Sequence, residues 1–147
     1  MDIRKIKTFQ QIEEFIEVYY KLLPSLPKKL RKNFAVYFGP LVVLAGIYHL
    51  VIALLPEPYS IIHTDNLLKV NILMIKGVFI ILGIALITSY SHLRKHQLKG
   101  WYNVFYITFF HFFLSLVIFN LPYFIAPLLV WYLLFQIKEF YAEKKSA

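Results

Sequence analysis

Four polar side chains stand inside long apolar runs of this 147-residue chain: His49, Lys76, His111 and Ser115. Imidazoles exchange protons near neutral pH, an ammonium holds an anion, and a hydroxyl both donates and accepts a hydrogen bond. Together they have the chemistry of an anion- or proton-handling pocket, and an ionisable residue at membrane depth is a functional candidate by default. Their bland reading is a buried imidazole satisfied by a neighbouring carbonyl or threonine and a lysine that snorkels to the head groups. No aspartate or glutamate falls inside these runs, which counts against a cation pathway and a carboxylate relay. Two histidines without carboxylate or thiolate support make a poor metal site, and the chain has no cysteine. A glycine-rich phosphate loop, an HExxH helix, a G-x-S-x-G elbow and a working pair of carboxylates are all missing, so the sequence points to a non-enzyme without a cofactor.

For the four residues to meet, the runs that carry them must be helices in a bilayer. Hydrophobic residues make up 59% of the chain and mean hydropathy is +0.61, above the about 45–50% apolar usage of soluble domains. Phe34–Leu55 carries no charge and meets the length of a membrane-crossing helix. A second run, residues 67–90, contains Lys69 and Lys76. From Trp101 to Ile137 no residue carries a formal charge, and 37 residues suit two short crossings joined at Asn120–Pro122. Pro40, Pro122 and Pro127 read as tolerated kinks. At about 1.5 Å per residue from the ends at Phe34, Ser91 and Trp101, His49, Lys76 and Ser115 all lie about 21–23 Å deep, with His111 about 6 Å shallower and Asn120 at the rim. The expected pocket therefore opens away from the side on which the chain begins.

Stripes along the helices support this convergence. Ala35, Gly39, Gly46 and Ala53 share a face with His49, and small residues let membrane helices approach closely. Lys69, Lys76, Gly83 and Tyr90 recur every seven residues, and Thr108, His111 and Ser115 fall at helical spacing.

Orientation follows from the cations. With four crossings, one side collects eight basic residues before Phe34, three between His92 and Gly100 and three after Ile137, while the opposite loops hold none. This bias places both termini in the cytoplasm. It also explains the net charge of +8 without nucleic acid, since no basic segment lies in a nucleic-acid-binding motif. Lys28, Lys29, Arg31 and Lys32 are placed to hold anionic lipid head groups, and Trp101 is placed to anchor the third helix at the interface.

Ahead of the first run, Thr8 and Gln11 form a capping box, and Phe9, Ile12, Phe15, Ile16, Tyr19, Leu22 and Leu23 share an arc of about 140°. Glu13, Glu14, Glu17 and Lys21 point the other way, and Pro24 ends the helix. The expectation is an amphipathic helix lying on the cytoplasmic interface, or docked on a partner or a second copy. The N-terminal segment lacks the apolar core of a signal peptide and is expected to be retained.

The stretches "FAVYFGPLVVLAGI", "LRKHQLKGWYNVFY" and "LLFQIKEFY" resemble a group of short bacterial four-span membrane proteins with no common activity attached, some described as transporters. Gly100-Trp101 followed by Phe105-Tyr106 after a basic turn is the most distinctive element. The resemblance implies a fold and a location and supplies no substrate.

The expected architecture is thus all-α: residues 1–33 a cytoplasmic amphipathic helix and basic linker, 34–137 a four-span transmembrane bundle, and 138–147 a cytoplasmic tail. The expected role is a non-catalytic interaction or accessory protein of the inner membrane, whose partners are the lipid bilayer and a membrane protein or a further copy of itself. The competing expectation is an oligomeric transporter or channel subunit for a small anion or for protons. A wet, continuous polar pocket would separate the two.

Overall fold

The computed structural model describes residues 9–55, 72–118 and 121–141. Among these, the chain forms five α-helices and no strand: α1 (Phe9–Lys21), α2 (Lys28–Leu54), α3 (Ile72–Arg94), α4 (Leu98–Ile118) and α5 (Leu121–Ile137), followed by a 3₁₀ turn over Lys138–Phe140. The expected positions Thr8, Lys69 and Asn120 lie outside the described residues.

Two helices, Lys28–Leu54 and Leu73–Arg94, are long and apolar enough to cross a membrane. Among the described residues the other two expected crossings, α4 and α5, do not meet that measure, and α5 has only 17 residues.

α2 and α3 cross backbone to backbone. A Cβ at Gly46 would lie 2.8 Å from the Gly83 carbonyl oxygen, and one at Gly83 would lie 2.8 Å from the Gly46 oxygen. One heptad away, a Cβ at Gly39 would lie 3.2 Å from the Tyr90 ring. The two small-residue stripes are therefore the two sides of one antiparallel seam.

α3 turns into α4 within three residues. His96 takes a left-handed φ of 51°, its N–H donates to Leu93 O at 2.9 Å and that of Gln97 to His92 O at 3.0 Å, so the last carbonyls of α3 are capped as in a Schellman turn. Gly100 lets α4 start against this turn, because a Cβ there would meet Leu93 N at 2.7 Å.

α4 and α5 are joined by aromatic packing. Phe105, Phe109 and Phe112 surround Trp131, with ring centroids 5.9, 5.9 and 5.2 Å from it. The core thickens where α4 starts and α5 ends, around the fully buried Trp101, Phe105, Leu134, Ile137 and Tyr141. Tyr141 closes it from outside, its hydroxyl donating to Ala35 O at 2.8 Å.

α1 runs antiparallel along α5. Its start lies at Lys138, and farther along it the Tyr20 hydroxyl donates to Leu128 O at 2.9 Å. The chain then turns back: the Tyr132 hydroxyl donates to Pro24 O at 2.7 Å, and Leu26 N–H donates to Gln136 Oε1 at 3.0 Å. Pro27 delivers it to α2, where Arg31 reaches Glu139 at 3.1 Å.

The rotation of α1 departs from the sequence reading. Its acidic side was expected to face water, yet Glu13 is only 1% exposed and bonds Lys138, while Val18, Tyr19, Leu22 and Leu23 face outward. A lysine packed at the end of α5 needs counter-charges, and no carboxylate but those of α1 reaches it among the described residues.

Candidate functional site

α2, α4 and α5, with Leu86 of α3, enclose a cavity of about 470 Å³. Its walls are almost wholly aliphatic and aromatic, and the polar groups in them are those of Tyr48, His49, Thr108 and His111. His49 and His111 are thus brought together, their rings edge to face with centroids 5.3 Å apart. Phe79 of α3 backs the His49 ring at 5.5 Å.

His49 is 7% exposed, and its Nδ1 lies 2.7 Å from Ala45 O, one turn back on its own helix. A carbonyl oxygen can only accept, so Nδ1 carries the ring proton and Nε2 of the neutral ring is an acceptor. Thr108 is a hub in the opposite wall. Its hydroxyl lies 2.9 Å from both Val104 O and Phe105 O, and its oxygen accepts from Trp131 Nε1, also at 2.9 Å.

Lys76 and Ser115 are not among the residues lining this cavity. Ser115 is buried, and its hydroxyl donates to Phe112 O at 2.6 Å within α4. Lys76 is half-buried. The Gly46–Gly83 seam sets its level: one heptad beyond Gly83 on α3 it stands opposite Ala53, about 6 Å farther along than His49. Counting inward from Ser91 put the two at one level, whereas α3 continues to Arg94 and the register of the seam decides.

The interface residues also divide. Lys28, Lys29 and Lys32 are exposed, but Arg31 turns to Glu139 and its Nε is buried without a hydrogen-bond partner among the described residues. Trp101 is 0% exposed rather than presented to lipid: Nε1–H donates to Leu134 O at 2.8 Å, and the Lys138 ammonium sits 5.3 Å from its ring centroid. Leu134 is within the last four residues of α5, whose carbonyls have no N–H from their own helix, so the indole acts as a cap.

A charged cluster absent from the sequence reading lies beside this indole. The Lys138 ammonium bonds Glu13 at 2.6 Å and also Glu17, which holds Lys21 at 2.8 Å. Burial raises the Glu13 carboxyl above its usual range, and the neighbouring Glu17 adds to this against the pull of Lys138. Burial opposes ionisation of Glu17 too, but hydrogen bonds from Lys138, Lys21 and Glu13 outweigh it and hold the group at about 2. Burial would lower Lys138, yet the two carboxylates raise it. The usable signal was the spacing of Glu13 and Glu17, one turn apart, with a lysine directly after the last apolar run.

Compared with protein-family models, curated proteins and solved structures, the chain finds no match. Its chemistry therefore has to be argued from the arrangement itself. Among the described residues no three histidine, aspartate or glutamate side chains gather as a metal site would need. The polar atoms in and around the cavity bond chiefly to backbone of their own helices, and the walls between them are apolar.

Proposed function

We propose that the chain is a four-span integral protein of the bacterial inner membrane, with both termini in the cytoplasm, and that it serves as a non-catalytic interaction or accessory protein. The observation that carries the membrane part is the outward surface. All four long helices turn large apolar side chains outward, such as Leu44 and Val51 on α2, Ile81 and Ile84 on α3, Phe110 and Phe113 on α4, and Ile125 and Leu129 on α5. Water-soluble monomers rarely expose contiguous apolar patches larger than a few hundred Å². Lipid is the solvent in which such a surface is stable, and kinship with the short bacterial four-span proteins belongs to the same reading.

The accessory role is favoured over solute transport by the character of the cavity. A pathway for anions or protons needs polar groups in series, whereas His49, Thr108 and Ser115 spend hydrogen bonds on nearby backbone, and Lys76 stands away from the cavity lining. Flux measurement decides between the roles. Vesicles containing the purified protein are expected to show no more anion or proton flux than empty ones, and His111→Leu is expected to insert and fold as the parent does. Protein-dependent flux that His111→Leu abolishes would overturn the accessory reading in favour of the transporter.

A further inference from the structure

The cavity beside His49 has the shape and chemistry of a ligand site, and a guest reaching it from the bilayer presupposes the membrane reading above. Its volume of about 470 Å³ lies within the range of about 300–1,000 Å³ of small-molecule pockets. Leu41 and Tyr48, 47% and 54% exposed, flank its mouth on α2. Ala45 and Ala126 also line it and are exposed, and because their side chains end at Cβ they leave room between α2 and α5. The mouth thus lies in the same outward apolar surface as Leu44 and Leu129, so the cavity opens sideways toward lipid.

Of the four polar residues of the wall, the two buried ones, His49 and Thr108, restrict what can enter. His49 has committed its Nδ1–H to Ala45 O and offers an Nε2 lone pair. Thr108 has committed its hydroxyl proton to the carbonyls of Val104 and Phe105 and already accepts from Trp131. What His49 and Thr108 can still offer a guest is lone pairs, in apolar surroundings where two acceptors facing each other are costly. An ester, ether or quinone head group accepts only. A fatty acid is ionised in water at neutral pH and has to take up a proton before it can enter apolar surroundings. An alcohol supplies the missing O–H.

We propose that this cavity binds a single-chain, hydroxyl-bearing lipid that enters sideways from the bilayer, its chain against the aliphatic wall and its O–H donated to His49 Nε2.

The test uses the full-length protein in phosphatidylcholine vesicles with a photoreactive, alkyne-tagged hexadecanol and its methyl ether, which lacks only the O–H. Labelling of Leu41, Ala45 and Ala126 by the alcohol is expected to exceed that by the ether about tenfold, the worth of one buried hydrogen bond. Excess hexadecanol should compete it away. His49→Leu should bring the alcohol down to the ether's level, while His49→Gln, which keeps an acceptor oxygen, should preserve most of the preference. Ala126→Trp fills the mouth and should abolish labelling by both, with helix content checked by circular dichroism. Equal labelling by alcohol and ether, adducts spread evenly over Leu44, Ile81 and Phe113, or indifference to Ala126→Trp overturns the proposal. Flotation with the vesicles is read before illumination. A protein that fails to float overturns the membrane reading and this site with it, whereas one that floats and labels indiscriminately overturns the site alone.

Discussion

At the scale of single residues, buried polar atoms here act mainly as local fasteners. Trp101 is the clearest case, because its indole N–H caps a carbonyl at the end of α5 while its ring carries the Lys138 ammonium. Trp101→Phe keeps most of the buried area and removes the donor, leaving Leu134 O without that partner. The expected loss is about 1–3 kcal/mol, read as a lower midpoint in denaturant titration of the detergent-solubilised protein. A midpoint equal to the parent's would mean that the carbonyl finds a partner without the indole. Trp101→Tyr should not rescue it, since the phenol places its donor elsewhere. The sequence marked Trp101 as special for the wrong reason: a tryptophan beside a basic turn has the signature of an interface anchor, and only the packing of α5 across it distinguishes anchor from cap.

At the scale of elements, two contacts organise the fold, and they differ in how legible they were. The α2–α3 seam was readable in part, because small residues at helical spacing mark a face for close helix packing, whereas which helix packs on that face is decided by the fold. Gly83→Leu is therefore expected to destabilise the protein by several kcal/mol, since its side chain would have to displace Gly46 O and Leu50, each 2.8 Å from the first atom added. The rotation of α1 was not readable. An amphipathic wheel tells which residues share a face but not which face a distant lysine will claim, and Lys138 lies more than a hundred residues away from Glu13.

That ion cluster makes α1 docking dependent on pH. Glu17 has its folded pKa depressed to about 2 from 4.5, so it stabilises the docked state above pH 4.5 and that contribution fades as pH falls from 4.5 toward 2. Glu13, raised above 4.5, acts in the opposite sense: it favours docking below pH 4.5 and loses this as pH rises through its folded value. Lys138, raised above 10.5, contributes fully below that pH and is lost above it. With Glu17 outweighing the opposite contribution of Glu13, docking should hold through neutrality and weaken toward both extremes. Spin labels at the exposed Val18 and Leu129 should move apart below pH 4.5. A fixed separation down to pH 2 would mean that Tyr20, Tyr132 and Gln136 hold the helix without the charges. Lys138→Met leaves two carboxylates facing each other and should cost about 3 kcal/mol, toward the lower end for a broken buried pair because Lys138 keeps some contact with solvent.

At the scale of the whole molecule, the apolar exterior and the distribution of charge make a joint statement about orientation. The exposed lysines Lys28, Lys29 and Lys32 stand at the start of α2, on the same end of the bundle as the α3–α4 turn with Arg94, Lys95 and Lys99 and as Lys138 after α5. Antiparallel packing of α2 on α3 and of α4 on α5 requires this arrangement. Among the described residues, the fold thus collects onto one end cations from three separate segments. An orientation with that end outside would carry all of them across the membrane against the positive-inside bias. Alkaline phosphatase, active only in the periplasm, should be inactive when fused at Ala147 and active when inserted after Asn120. Replacing Arg94, Lys95 and Lys99 with glutamine should leave this pattern intact, because the basic residues ahead of Phe34 still direct the first crossing. Adding glutamine at Lys28, Lys29, Arg31 and Lys32 should then yield a mixed population with partial activity at Ala147. Full activity at Ala147 in the unaltered protein would reverse the orientation, and activity at both positions would mean that α4 and α5 do not form a pair of crossings.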